Sequence, residues 1–407
     1  MLSKNQEIII VGGGFGGIRA GLDLARKLPG AKITLISEGQ NFEYTPALYR
    51  VVNGRATGGA CVALKDIFAG AAVKIIKAMI VAIDLGAKKL RDASGTEYVF
   101  DFLVLALGSE TVYFDIPGIQ EFSFSFKSLK EALALNQHLH QTFVACAKAG
   151  VDGQACAARL VIIGGGPSGV ELAGGLAIYA REMAKKHHLD PSLVSVNLVE
   201  AASRLLPTLP EAMAEKITRR LKSLGVDILL NQAVTKEEEA GIYLKDGQIK
   251  TKTVIWTAGV KPNRVYAATP GLELDKKGRV VVDQFLQAKN FENIFIIGDA
   301  AATPYAGLAQ TAIYDGSFVA RSIIKKINGR ALTPYAPKKT VYAIPVGPSW
   351  AAVLFGNRQF YGRFGSWLRY FADLRFFLSI LPFGKALARF RGNQTLCESC
   401  KICQTDK

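Results

Sequence analysis

The chain has 407 residues, 49% of them hydrophobic and 21% charged, with a formal net charge of +16. That length and balance suit two or three globular domains and exclude a disordered chain. Six cysteines in so long a chain exclude a disulfide scaffold. The positive charge, without an RNA- or DNA-binding signature, gives no support for a nucleic-acid partner and leaves anionic ligands or an anionic membrane. Residues 1–7 are short and polar with no secretory signal, so the folded body is expected in the cytoplasm or an equivalent compartment.

Residues 8–11 are an apolar run that reads as a buried parallel strand. The run feeds into Gly12-x-Gly14-x-x-Gly17, and a helix-forming stretch continues to Leu28. Gly12 allows a tight turn, Gly14 lets the backbone approach a pyrophosphate, and Gly17 lets helix and strand pack closely. The first N–H groups of the helix then face a diphosphate. Glu38 ends a second predicted strand, 32–37, where a carboxylate can accept adenosine ribose hydroxyls. The glycines alone are a weak signal; strand, glycines, helix, second strand and terminal acid together are a strong one. The loop 40–49, stiffened by Pro46, has no cysteine, so neither dithiol nor single-thiol redox chemistry is available from it. Cys61 reads as an inert small hydrophobe. Short strands are predicted within 73–84 and 97–100, a buried strand at 102–109, and a helix over 128–148.

The opening pattern then repeats. Residues 159–163 read as a strand, Gly164-x-Gly166-x-x-Gly169 as the turn, 170–186 as the helix, and 195–199 as a strand ending in Glu200. A single-site dehydrogenase has no use for two dinucleotide sites. A flavoprotein that accepts hydride from a nicotinamide does, with FAD on the first and NAD(P)H on the second. Strands at 225–230, 241–244 and 248–257 complete the second domain, and Ala258-Gly259 closes it. Residues 293–300 return to the first domain as a strand delivering Gly298-Asp299 to a helix start. Asp299 is either an ordinary N-cap or a ligand of the flavin ribityl chain, and two nucleotide sites favour the flavin.

These motifs resemble the two-dinucleotide-binding flavoproteins, and within them the type II NADH dehydrogenases, which are single-chain NADH:quinone oxidoreductases. Gly12-Gly-Gly-Phe-Gly-Gly17, Tyr44-Thr-Pro-Ala-Leu-Tyr49, Gly164-Gly-Gly-Pro-Ser-Gly-Val-Glu-Leu-Ala173, Thr257-Ala-Gly259, Gly298-Asp-Ala300 and Ala309-Gln-Thr-Ala312 match in order. The resemblance implies an α/β fold: two Rossmann-like domains for FAD and NADH, the second inserted in the first, plus a C-terminal membrane-facing helical module. The expected divisions are 1–118, 119–262, 263–330 and 331–407. Electrons are expected to pass from NADH to a membrane quinone by a ping-pong exchange, without proton pumping. Glu171 is implied to manage protons near the nicotinamide–flavin contact, and Gln310 to line the quinone pocket. Their plain readings are a first-turn helix acid and a polar helix residue. The expected FAD contacts are Gly12, Gly14, Phe15, Gly16, Gly17, Glu38, Pro46, Ala106, Gly108, Gly298 and Asp299. For NADH they are Gly164, Gly166, Gly169, Glu200, Ala258 and Gly259, with no metal. Glu200 would repel the 2′-phosphate of NADPH, although Arg204 lies close by in sequence.

The chain departs from the family after Ala312, where Tyr314-Asp315 stands in place of Gln followed by Glu or Gln. A reductase of a ferredoxin or rubredoxin and a flavin-sensing interaction protein are the alternatives. Sulfide:quinone reduction would need redox cysteines, and 164–172 and 341–356 contain none.

Residues 331–407 hold eleven Lys/Arg against three Asp/Glu, half of the excess charge. Within 366–383, Trp367, Phe371, Leu374, Leu378 and Leu381 recur at helical spacing, with Arg369 and Asp373 on another face. The run is too short and too charged to span a bilayer. With Arg363, Arg375, Lys385, Arg389 and Arg391 around it, it suits a helix lying on an anionic membrane. The cytoplasmic face of the inner membrane, or an equivalent organellar membrane, is the expected place. A core helix or a homodimer interface is the alternative. Cys397, Cys400 and Cys403 are one ligand short of a self-contained metal site.

Overall fold

The computed structural model describes residues 6–148 and 158–392; the Cys397, Cys400 and Cys403 tail lies outside the described residues. The chain divides into two compact units. One is Met1–Glu43, Cys61–Glu110 and Val260–Thr340; the other is Tyr44–Ala60, Thr111–Gly259 and Val341–Lys407.

The first unit is organised by a parallel sheet in the order Val73–Lys77, Lys32–Ser37, Glu7–Val11, Phe102–Leu105, Phe291–Ile296, with Gln287–Ala288 antiparallel at the edge. Its central strands are near-continuous apolar runs because both faces are covered: Ile8, Ile10, Leu103 and Leu105 are fully buried. One core gathers Ile9, Val11, Ile36, Leu105, Ile294 and Ile296. The strand Glu7–Val11 has the next strand in sequence on one side and a later return strand on the other. This switch point leaves a crevice beyond the strands' carboxyl ends. The helix Phe15–Lys27 packs against Ala309–Ile327 so closely that a Cβ on Gly316 would overlap the Gly16 carbonyl.

The second unit repeats the design. Its parallel sheet runs Val226–Leu229, Val194–Val199, Ala158–Ile163, Thr253–Trp256. The helices Leu129–Lys148, Pro167–Lys186 and Glu211–Ser223 belong to this unit. Two segments pack here that the sequence places elsewhere. Residues 44–60, expected with the FAD contacts, carry the helix Leu48–Val52, whose Val52 carbonyl accepts from Asn136 Nδ2 at 2.9 Å. The C-terminal segment, expected as a domain of its own, forms antiparallel strands Tyr342–Pro345, Ala351–Phe355 and Arg358–Phe360, then helices Gly362–Ile380 and Phe383–Gly392. Gly365 seats the first of these helices, since a Cβ there would overlap the Ala351 carbonyl.

Candidate functional site

In the first unit Gly12 takes φ +116°, and its N–H donates to the Ile36 carbonyl at 2.8 Å. A Cβ on Gly12 would overlap the Ala106 carbonyl, and one on Gly17 the Gly12 carbonyl. Nothing lies within 4 Å of a Cβ on Gly14. The outer glycines therefore serve chain packing, while the middle one leaves the backbone open to a ligand at a helix N-terminus. Phe15 meets Phe42 edge-on, with centroids 5.0 Å apart, and Glu38 stands exposed after its strand. Gly108, φ +66°, also borders open space. The neighbouring Ser109 hydroxyl donates to Asp299.

Gly298–Ala300 is a single 3-10 turn, not the start of a long helix; that helix begins at Ala309. Gln310 is exposed in its first turn. The departure at Asp315 has a structural use here. Asp315 is fully buried, accepts from the Gly298 N–H at 3.0 Å and from the Tyr335 hydroxyl at 2.6 Å, and so ties the helix to that turn. Burial pushes its carboxyl up to about 6. No motif links Asp315 to Tyr335; only folding brings them together.

The second glycine turn copies the first. Gly164 takes φ +111° with Ala258 Cα 2.8 Å from a would-be Cβ, Gly169 abuts the Gly164 carbonyl, and Gly166 borders open space. Ala258 and Gly259 thus act on the turn and on Phe114 by packing. Glu200 accepts from the N–H of Gly165 at 2.6 Å and of Ala202 at 2.8 Å, which fixes its carboxylate beside the turn. Arg204 points its guanidinium at the carbonyls of Leu206, Pro207 and Leu209, at 3.1, 2.6 and 3.1 Å, and is committed there.

Also in the second unit, Glu171 is half-buried on the helix Pro167–Lys186. Burial pushes its carboxyl up to about 7; Arg369 and Arg50 pull it back, and Asp373 pushes it further up. Asp373 is 1% exposed and accepts from Tyr44 Oη at 2.5 Å, from Arg50 Nη2 at 2.9 Å and from Arg369 Nη1. Burial alone would raise the Asp373 carboxyl, but Arg369 and Arg50 outweigh it and hold it below the usual carboxylate range. Arg369 also donates to the Pro46 carbonyl at 3.3 Å. Arg50 and Arg369 line a cavity of about 490 Å³ with Tyr49, Asn53, Tyr179 and Ser366. Pro46 and Glu171 thus belong to the second unit and Gln310 to the first.

The helix Gly362–Ile380 turns Phe364, Trp367, Phe371 and Leu378 outward, each 41–53% exposed, and Phe383 follows at 71%. Along this face Trp367 stacks on Phe364 at 5.9 Å and meets Phe371 at a tilt, 4.3 Å away. Arg363, Arg375, Lys385 and Arg391 are exposed around it. Three expectations change. Leu381 is buried because the helix ends at Ile380, the outward face begins a turn earlier at Phe364, and Arg389 is half-buried with its guanidinium on the Gly58 carbonyl at 3.3 Å. No described helix is long and apolar enough to cross a membrane.

Two parallel sheets, each ending in an open glycine turn at a switch point, define a two-dinucleotide-binding flavoprotein fold. Residues 6–316 match the pyridine nucleotide-disulphide oxidoreductase family. The type II NADH:quinone oxidoreductase of Staphylococcus haemolyticus (strain JCSC1435) is 27% identical over 96% of this chain and 99% of its own length. The corresponding Ndh of Mycobacterium tuberculosis (strain ATCC 25618 / H37Rv) is 30% identical over 80% of this chain and 74% of its own. The structure of NDH2 from Plasmodium falciparum in complex with NADH superposes with a TM-score of 0.85 over 95% of this chain and 97% of that one, at 16% identity, which speaks to the fold. The chain belongs to the pyridine nucleotide-disulphide oxidoreductase family, and within it to the type II NADH:quinone oxidoreductases. The disulfide of the family's name has no counterpart in the cysteine-free loop 40–49.

Proposed function

We infer that this protein oxidises NADH and reduces a membrane quinone, with FAD on the first glycine turn and NADH on the second, and without pumping protons. The observation that carries this assignment is the pair of open turns at Gly14 and Gly166, one in each unit. Both have room for a diphosphate where a side chain would intrude. Gly12, Gly14, Phe15, Gly16, Gly17, Glu38, Ala106, Gly108, Gly298 and Asp299 would hold the FAD. When bound, the flavin accepts hydride from NADH and passes two electrons on. The chain's own residues bind, orient and manage protons. With its carboxyl near 7, Glu171 is poised to give and take a proton at neutral pH. Gln310 offers a polar contact to the quinone from its exposed place in the helix Ala309–Ile327.

Glu200 would accept the ribose hydroxyls of NADH and repel a 2′-phosphate. The Arg204 guanidinium spends three of its donors on backbone carbonyls, which leaves fewer to grip a 2′-phosphate. We expect kcat/KM to favour NADH over NADPH by roughly 100-fold, about 2.7 kcal/mol. Arg204→Ala should leave that ratio in place, whereas Glu200→Ala should narrow it. Equal efficiency with the two cofactors in the unaltered protein would remove this role of Glu200.

The outward aromatic face and its basic neighbours support peripheral attachment to an anionic membrane. The primary test of function is spectroscopic. NADH added under argon should bleach the flavin band of the purified protein, and a quinone titration should restore it. An unbleached flavin would point to a sensing protein. Restoration by a ferredoxin or rubredoxin but by no quinone analogue would point to a carrier reductase.

A further inference from the structure

The helix Gly362–Ile380 distributes its side chains against habit. Phe364, Trp367, Phe371 and Leu378 face outward, while Arg369 and Asp373 face in, 7% and 1% exposed. Buried ion pairs are poor stabilisers, since desolvation offsets their attraction, and apolar residues would seat a helix at least as well. The pair is part of a larger set. Asp373 takes three donors, Tyr44, Arg50 and Arg369, from segments more than three hundred residues apart in sequence. Arg50 reaches its second partner, Tyr49, at 3.1 Å, and Arg369 its second, the Pro46 carbonyl, at 3.3 Å. The helix that bears Glu171 lines the same cavity as Arg50 and Arg369 through Gly175, one turn on from Glu171, and through Ile178, and the Glu171 carboxyl lies in the field of Arg369, Arg50 and Asp373.

We propose that Asp373 is a positioning residue for Glu171: it draws Arg50 and Arg369 onto one carboxylate, so that neither guanidinium is left to lock Glu171 in its charged form. The proposal rests on Glu171 being the proton-handling acid described above. The charged groups that act on it are Arg50 from the segment 44–60 and Arg369 and Asp373 from the aromatic helix; Tyr44 donates to Asp373 and Tyr49 accepts from Arg50. Tyr44 stays neutral because burial pushes its hydroxyl up. Two guanidinium groups and one carboxylate leave a net single positive charge facing Glu171. That is enough to oppose its burial and too little to hold it ionised at every working pH. Removing the Asp373 charge would leave two positive charges and favour the Glu171 carboxylate. Removing the Arg50 charge would leave none and favour the protonated acid. The device sits on the same helix that carries the outward aromatics, so the element that meets lipid also sets the charge state of the acid.

The test follows reoxidation of the NADH-reduced holoenzyme by a soluble quinone analogue in stopped flow, as a function of pH. The unaltered protein should show a midpoint that Glu171→Gln abolishes. Asp373→Asn should move that midpoint down by about one pH unit or more, and Arg50→Gln should move it up by a similar amount. A merely structural role would slow the reaction in both variants without moving the midpoint in opposite directions. Midpoints unmoved in both variants, with Glu171→Gln still abolishing the titration, would overturn the proposal for Asp373. Persistence of the midpoint in Glu171→Gln would instead overturn the assignment of Glu171 itself, and this proposal with it. Should Asp373→Asn fail to fold with bound flavin, Arg50→Gln decides: an upward shift supports the proposal and a fixed midpoint rejects it.

Discussion

Gly166→Glu is expected to leave the protein yellow and to abolish NADH turnover, while Gly14→Glu is expected to yield colourless protein or apo-protein aggregate. The two substitutions are chemically identical and sit at equivalent places in the two units. Neither crowds the backbone at Cβ, because no atom lies within 4 Å of either Cβ position. Each instead puts a carboxylate into the space that a diphosphate would occupy, against the favourable end of a helix. Like charges so placed cost several kcal/mol, which corresponds to a loss of at least about 1,000-fold in affinity for the dinucleotide concerned. The contrast with the outer glycines is a useful control. Gly17→Ala and Gly169→Ala would drive a methyl group into the Gly12 and Gly164 carbonyls and should damage the fold rather than one site. The measurements are flavin absorbance per protein and steady-state NADH oxidation. The reverse pattern, with flavin lost from Gly166→Glu and kept in Gly14→Glu, would exchange the roles of the two units.

Replacing Phe364, Trp367, Phe371 and Leu378 together by glutamine should detach the protein from anionic liposomes while leaving it folded and yellow. These side chains stand outward and do not contribute to the buried core. Transferring a large apolar side chain fully out of water is worth about 1.5–3 kcal/mol. If headgroup-level insertion recovers about 1 kcal/mol of that for each, four substitutions weaken binding by roughly 1,000-fold. Arg363, Arg375, Lys385 and Arg391 are exposed beside them. Each adds on the order of 1 kcal/mol near an anionic surface, and salt screens that part. The unaltered protein should therefore bind neutral liposomes less and come off partly in high salt. Deleting residues 366–407 is a poorer test. It would take away Arg369 and Asp373 and leave Arg50 and Tyr44 without their buried carboxylate. Sedimentation of the quadruple variant equal to that of the unaltered protein would show that the aromatic face covers something other than lipid, such as a second copy of the chain.

Much of this was legible in the sequence because it is local. A strand, three glycines at fixed spacing, a helix and a terminal acid lie within about forty residues, and backbone geometry ties their spacing to one turn. The strand Lys32–Ser37 falls where the sequence places it, and the second turn repeats the first. The outward apolar face of the C-terminal helix follows from helical periodicity alone, at Trp367, Phe371 and Leu378. Tertiary structure decided the rest. Periodicity could not separate Leu374, half-buried, or Leu381, buried past the helix end, from the exposed stripe. Sequence proximity made Arg204 a rival to Glu200, and only the three carbonyls around its guanidinium show where its donors are spent. Arg369 and Asp373 read only as a pair on another face of the helix, and it is the fold that buries them, with Arg50 and Tyr44 converging on the same carboxylate. Spacing along a chain reports which residues share a face. Which face is covered, and by what, depends on segments hundreds of residues away, and there the charge that surrounds Glu171 is set.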